Sequence, residues 1–289
     1  MPLIHDVTAG KLKKVLQMKT DSETHLVGGL WNVHSFIDYT ALGQYANPYV
    51  LFDYQPPTEF SDTKTGGVGL HPHRGIDTLM IVFQGQVEHA EKSGTQVVEA
   101  GDVQWLRAGR GTQHGEFLPE GYSGGIIEFA LMWINLSAAH KFDEPRSLVH
   151  RASSIPVLKI PDMEATVRVI CGKFGDTVGP VDSVTPKQIF DFDLKSDSQL
   201  SLKVNEGWTA NVLVRSGSVV INGRDCEGCG FFVLTTEGTE VAILAQTDCQ
   251  FLFLAAEPLG EPMVGHGPFV MSTTEEIVDA FDDYKAGKF

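Results

Sequence analysis

A beat of short apolar runs separated by glycine-marked turns constrains this chain more than any other feature. Residues 78–83 are apolar, Gln84-Gly85 turns the chain, and residues 86–90 follow as a second run. Ser93-Gly94, Ala100-Gly101-Asp102 and the stretch 108–111 punctuate runs at 95–99, 103–107 and 112–118, ahead of a strongly apolar run at 126–134. Short strands at this spacing predict an all-β, antiparallel sandwich or barrel. Upstream, Leu30, Trp31, Val33 and Phe36 read as core of early strands, and residues 55–69, rich in Pro, Gly, Asp and Thr, as a long loop.

The beat then repeats. Residues 73–85 align without a gap on 205–217, matching Gly75 with Gly207 and Gly85 with Gly217, and residues 101–109 fall on 230–238. A shared turn and strand grammar at near-constant offset implies two copies of one β-fold. The expected organisation is a first domain over 1–140, a linker over 141–161 containing Pro145, Pro156 and Pro161, and a second domain over 162–289. The end of the chain changes character. Thr273 and Glu276 have capping-box spacing, Ile277, Ala280, Phe281 and Tyr284 recur at helical spacing, and Gly287 stops the pattern. One C-terminal helix is predicted.

With a formal charge of −15 and 42% hydrophobic residues, the chain can bury sizeable cores but repels phosphate backbones, so direct nucleic-acid binding is not expected. No 18-residue apolar run and no basic, then apolar, N-terminal stretch is present, so neither a membrane span nor a secretory signal is expected. The four cysteines, Cys171, Cys226, Cys229 and Cys249, all lie in the second half. That argues against a disulfide framework and for a reducing compartment, cytoplasmic, or nuclear in a eukaryote.

Two pairs of residues carry the chemistry. His71 and His73 lie in His71-Pro72-His73-Arg74-Gly75, and His114 and Glu116 in Thr112-Gln113-His114-Gly115-Glu116. Spacing i, i+2 puts both side chains of each pair on one face of a strand. Two such strands bring together three imidazoles and a carboxylate, a set that suits a borderline divalent metal: Fe(II), Cu, Ni, Mn or Zn. An octahedral ion with four protein ligands keeps two positions open, as a dioxygenase requires. A closed structural zinc is the alternative, though such sites usually use thiolates. In the second copy the same positions hold Lys203, Asn205, Ile243 and Ala245. The metal site is therefore expected in the first copy alone.

Other polar residues read less sharply. His89 suggests a surface position or support of a ligand, and His140 and His150 solvated linker positions. Arg74 and Arg110 flank the ligand runs, where each could orient an anionic substrate or brace the loop in an ion pair. Gln104 and Trp105 alternate, so only one can face the cavity. Cys226-Glu-Gly-Cys229 is a lone C-x-x-C in a turn without a βαβ context, and reads as two ordinary thiols.

The run 71–75, the run 101–116 and the C-terminal run 261–277 together resemble the pirin family of the cupin superfamily. The resemblance covers nearly the whole chain. It implies two cupin (jelly-roll) β-barrels in tandem, the first with an iron site on His71, His73, His114 and Glu116, the second without metal. Gly115 departs from the family pattern, in which a larger polar residue is common, and suggests altered site flexibility. The resemblance implies either of two functions. One is a quercetin 2,3-dioxygenase, with a flavonol-like aromatic substrate, dioxygen, Fe(II) as the first expectation, and Glu116 as ligand and general base; carbon monoxide would be released. The other is a metal-dependent, redox-sensing regulator of a transcription factor or metabolic enzyme. A monomer is expected. Fold alone does not choose between these.

Overall fold

The computed structural model describes residues 11–20, 24–62 and 65–289. In chain order its first elements are β1 (Val15–Lys19), β2 (Thr24–Val27), β3 (Trp31–Ile37), the helical turn α1 (Gly43–Ala46), β4 (Tyr49–Phe60), β5 (Gly67–His73) and β6 (Ile76–Gln84). There follow β7 (Gln86–Glu91), β8 (Gly94–Glu99), β9 (Val103–Arg107), β10 (Thr112–Phe117), β11 (Gly125–Asn135) and β12 (Arg146–His150), and near the end of the chain the helix α2 (Thr274–Lys285). No helix among the described residues is long and apolar enough to cross a membrane.

Two compact units form, and they are interleaved in sequence. One takes 22–155, 180–185 and 259–289; the other takes the described residues before 21 together with 156–179 and 186–258. The expected contiguous halves, 1–140 and 162–289, therefore do not describe the packing. Strand β1 completes the sheet of the second barrel, whereas 259–289, with α2, belongs to the first unit. Nor is 141–161 a free linker: β12 pairs with β9, and Val157–Lys159 pairs with Ala165–Cys171.

The repeat predicted from sequence is a repeat of topology. In the first unit a seven-stranded sheet runs β12-β9-β6-β11-β4-β3-β2 and a four-stranded sheet runs β5-β10-β7-β8. The second unit repeats both orders strand for strand. Its large sheet runs β1, Gly230–Leu234, Thr209–Ser216, Cys249–Ala256, Lys187–Leu194, Ala165–Cys171, Val157–Lys159, and its small sheet Gln199–Lys203, Glu240–Ala245, Ser218–Ile221, Arg224–Glu227. Each is a two-sheet antiparallel jelly roll.

Residues 55–69 are not the long loop their composition suggests. Strand β4 runs on to Phe60 and β5 starts at Gly67. Pro56 and Pro57 are accommodated because the ladder to β11 slips there, from Gln55 opposite Phe129 to Thr58 opposite Ile127. At such an irregularity a missing N–H costs little.

The cores explain why one barrel is filled and the other is not. Ile243 and Ala245, at the positions of the second ligand pair, are buried in an apolar cluster with Leu202, Val204 and the stacked pair Phe192–Phe251. The first barrel's cluster, built on Trp31, Met80, Val82 and Phe129, leaves its β5–β10 end to polar groups. Helix α2 starts as predicted: Thr273 Oγ1 accepts from Glu276 N at 3.2 Å, and the Glu276 carboxylate accepts from Thr273 N at 3.3 Å. Its Ile277 and Ala280 pack with Phe269, Met271 and Phe289.

Candidate metal centre

Strands β5 and β10 pair antiparallel with His71 opposite His114. The alternation of both strands brings three imidazoles together, with ring centroids 4.6 Å apart for His71–His114, 4.8 Å for His71–His73 and 4.9 Å for His73–His114. Past His114 the register slips by one residue, so that Glu116 stands opposite Val68. Gly115 permits this. A Cβ there would lie 2.7 Å from the Val68 carbonyl oxygen and 3.2 Å from Gly69 C. At this departure from the family pattern the packing leaves no room for a side chain.

The donor atoms form two overlapping triads that share His114. One is His71, His73 and His114; the other is His89, His114 and Glu116; within each, the atoms lie within 4.8 Å of one another. His71 Nδ1 is 2.9 Å from the Gly69 carbonyl and His73 Nδ1 is 3.1 Å from the Pro268 carbonyl. A carbonyl can only accept, so each Nδ1 carries the proton and each Nε2 keeps its lone pair. His114 Nε2 is buried and has no hydrogen-bond partner. Burial pushes His73 down to about 3, and holds His114 well below the usual imidazole range, with the neighbouring imidazoles adding to the effect.

Glu116 is buried as well, and burial pushes it up to about 8. Its 3.1 Å contact with His114 Nδ1 is therefore a hydrogen bond between two neutral groups, not an ion pair. Neutral imidazole lone pairs, one of them orphaned, beside a buried carboxylate without a counter-charge are what a divalent cation satisfies.

His89 is not at the surface. It lies on β7 directly opposite Glu116, is buried, and has Nδ1 3.5 Å from His114 Nδ1. Its Nε2 is 2.8 Å from Glu91 Oε1 and 3.4 Å from Gln104 Nε2. A carboxylate–imidazole pair beside a ligand fixes that ligand's orientation. Of the two readings the sequence allowed, burial removes the surface position and leaves support of a ligand, and His89 and Glu91 share the i, i+2 spacing of the other pairs. Of Gln104 and Trp105, the first faces the site; Trp105 Nε1 instead donates to Asp77 at 3.2 Å, beside the buried Arg107–Asp77 pair.

Arg74 braces rather than binds. Its Nε donates to the Arg110 carbonyl at 2.6 Å, its Nη2 to Asp283 at 2.9 Å, and its guanidinium lies over Phe289. Arg110 pairs with exposed Glu144. Lys141, expected at the start of the linker, is buried and donates to the carbonyls of Gly75 and Val270 and to Asn135 Oδ1, holding the turn that follows His73. His140 is half-exposed beside Asp143, but His150 is buried on β12 rather than solvated. Cys226 and Cys249 carry free thiols, and burial pushes Cys226 up to about 11, leaving an unreactive thiol.

Beside Glu116 the barrel keeps a cavity of ≈ 30 Å³ walled by Trp31, Val33, Val68, Met80, Phe129 and Leu131. Fold and site together define a two-barrel cupin whose first barrel carries a His/Glu cluster suited to a metal. Residues 31–134 match the family model described as Pirin, and 189–289 the Pirin C-terminal cupin domain. The protein named "Putative quercetin 2,3-dioxygenase PA2418" of Pseudomonas aeruginosa is 36% identical over 282 residues, 96% of this chain and 99% of the relative. Human Pirin is 32% identical over 256 residues, 84% of this chain and 82% of its own. A crystal structure of quercetin 2,3-dioxygenase from Acinetobacter baumannii superposes with a TM-score of 0.91 at 36% identity, covering 96% of this chain and 98% of that one. The chain belongs to the pirin family.

Proposed function

We propose that the first barrel holds one divalent metal on His71, His73, His114 and Glu116, and that the protein uses it to open the ring of a flavonol such as quercetin with dioxygen. Fe(II) is the first expectation, with Cu, Ni, Mn and Zn as alternatives the ligand set accepts. The observation that carries the reading is the orphaned Nε2 of His114 beside a buried carboxylate that lacks a counter-charge. The names of the Pseudomonas and Acinetobacter relatives support the choice of reaction.

When bound, the metal supplies Lewis acidity toward a substrate hydroxyl and open positions for substrate and dioxygen. The chain's own groups do the rest. Glu116, which a bound cation would hold ionised despite its burial, would take the proton of the flavonol 3-hydroxyl. The Glu91–His89 pair steadies His114 from behind. Trp31, Met80, Phe129 and Leu131 keep water from the reacting ring. At ≈ 30 Å³ the cavity admits about one water molecule. A flavonol therefore requires its walls to part, and the flexible side chains of Met80 and Leu131 are the ones that can yield.

That narrowness favours a second reading, in which the same site sets the shape of a metal-dependent regulator. A formal charge of −15 suits a protein partner, not nucleic acid. Aerobic incubation of Fe(II)- or Cu(II)-loaded protein with quercetin decides between them. The dioxygenase reading predicts loss of the flavonol absorbance, abolished in His73→Ala. No turnover with any loaded metal, together with metal-dependent capture of a protein partner, would leave the regulator.

A further inference from the structure

The cavity beside Glu116 contains polar groups that the chemistry at the metal does not use. Asp53 sits in β4, which is hydrogen-bonded on both sides. Ser35 on β3, Asp53, Leu131 on β11 and Met80 on β6 stand opposite one another in a single cross-strand row. Of these, Asp53, Leu131 and Met80 line the cavity. A carboxylate therefore occupies what the neighbouring strands treat as an apolar position. Its Oδ1 accepts from Ser35 Oγ. No lysine or arginine among the described residues pairs with it, and burial pushes it up to about 6. Only the Ser35 hydroxyl and the field of His25 offset that burial, and an acid kept so in a cavity marks a site of use.

Trp31 is the second such group. Its ring lines the same cavity and packs edge-on to Phe60 and Phe129 at 5.6 and 5.3 Å. Its indole N–H is buried and has no acceptor. Buried indole N–H groups normally find one. The otherwise apolar cavity thus offers a charged acceptor and an unused donor, on adjacent strands, in addition to Glu116.

We propose that Asp53 and Trp31 form a recognition pair for a second hydroxyl of the aromatic substrate, separate from the hydroxyl that meets Glu116. Asp53 accepts the hydroxyl's hydrogen bond and Trp31 Nε1 donates to an oxygen of the same ligand. The pair selects polyhydroxylated aromatics over rings with a single chelating hydroxyl, because the latter would leave both buried groups unpaired. This assignment rests on the reading of the cavity as the substrate site.

The test compares equilibrium binding of quercetin and of 3-hydroxyflavone, without dioxygen, to metal-loaded wild type, Asp53→Asn and Trp31→Phe. Metal content is measured in each. Wild type should prefer quercetin by about tenfold or more, the worth of a charge-assisted hydrogen bond. In Asp53→Asn that preference should fall most of the way to parity at unchanged metal content, and in Trp31→Phe it should fall in the same direction. If wild type binds both flavonols and the preference survives in both variants, the recognition pair is wrong while the proposed function stands. If wild type binds neither flavonol, the proposed function fails and this assignment falls with it.

Discussion

Replacing Glu116 by Gln should stabilise the protein when metal is stripped from it, and the sign should reverse when metal is bound. Glu116 ionises at about 8 in the fold against 4.5 ordinarily, because burial disfavours its charge. Between those values the unfolded chain releases a proton that the folded chain retains. Stability therefore falls with rising pH across that window, by about 1.4 kcal/mol per pH unit. At pH 7 the accumulated cost is about 3 kcal/mol, and at pH 5 it is under about 1 kcal/mol. Gln has nearly the same shape and no proton to lose, so the variant escapes the cost apart from about 1 kcal/mol for its buried amide. Thermal melts of chelator-treated wild type and Glu116→Gln, run from pH 5 to pH 8, should diverge progressively. At pH 7 the gap in melting temperature should reach several degrees for a unit of this size. With saturating metal, wild type gains the binding free energy of a charged ligand that the variant lacks, and should melt higher. A variant no more stable than wild type at pH 7 without metal would refute the claim that this carboxylate is buried uncompensated for the sake of a cation.

Other perturbations follow from the packing around the site. Asp77→Ala leaves Arg107 buried without its main partner and should cost about 3–5 kcal/mol in denaturant unfolding. Gly115→Ala drives a Cβ to within 2.7 Å of the Val68 carbonyl, and should cost about 1–3 kcal/mol and weaken metal retention, both read on one preparation. His89→Asn removes the imidazole that steadies His114. It should lower metal affinity by about 10–100-fold in competition with a chelator while the unfolding midpoint of the metal-free protein moves little.

Much of this was legible in the residues because strands obey a period of two and turns demand glycine. The ligand pairs needed only that period to be placed on one face, and the second barrel declared itself degenerate when the same register held Ile243 and Ala245. The capping box of α2 was local chemistry and survived intact. What escaped depends on pairings far apart in sequence. That β1 completes the second barrel, and that Pro268 holds His73, follow from sheet assembly and leave no local trace. Pro56 and Pro57 looked like loop because the slip that tolerates them lies in the partner strand. Asp53 was missed for another reason: a single polar residue in an apolar strand looks solvent-facing until its neighbours show which face is inside.

The central claim is that one barrel, and only one, holds a metal. Protein loaded with Fe(II) or Ni(II), freed of excess ion and analysed for metal against protein concentration, tests it directly. The account predicts one ion per chain in wild type and a marked loss in His73→Ala. Two ions per chain, no retained ion in wild type, or full retention in His73→Ala would contradict it.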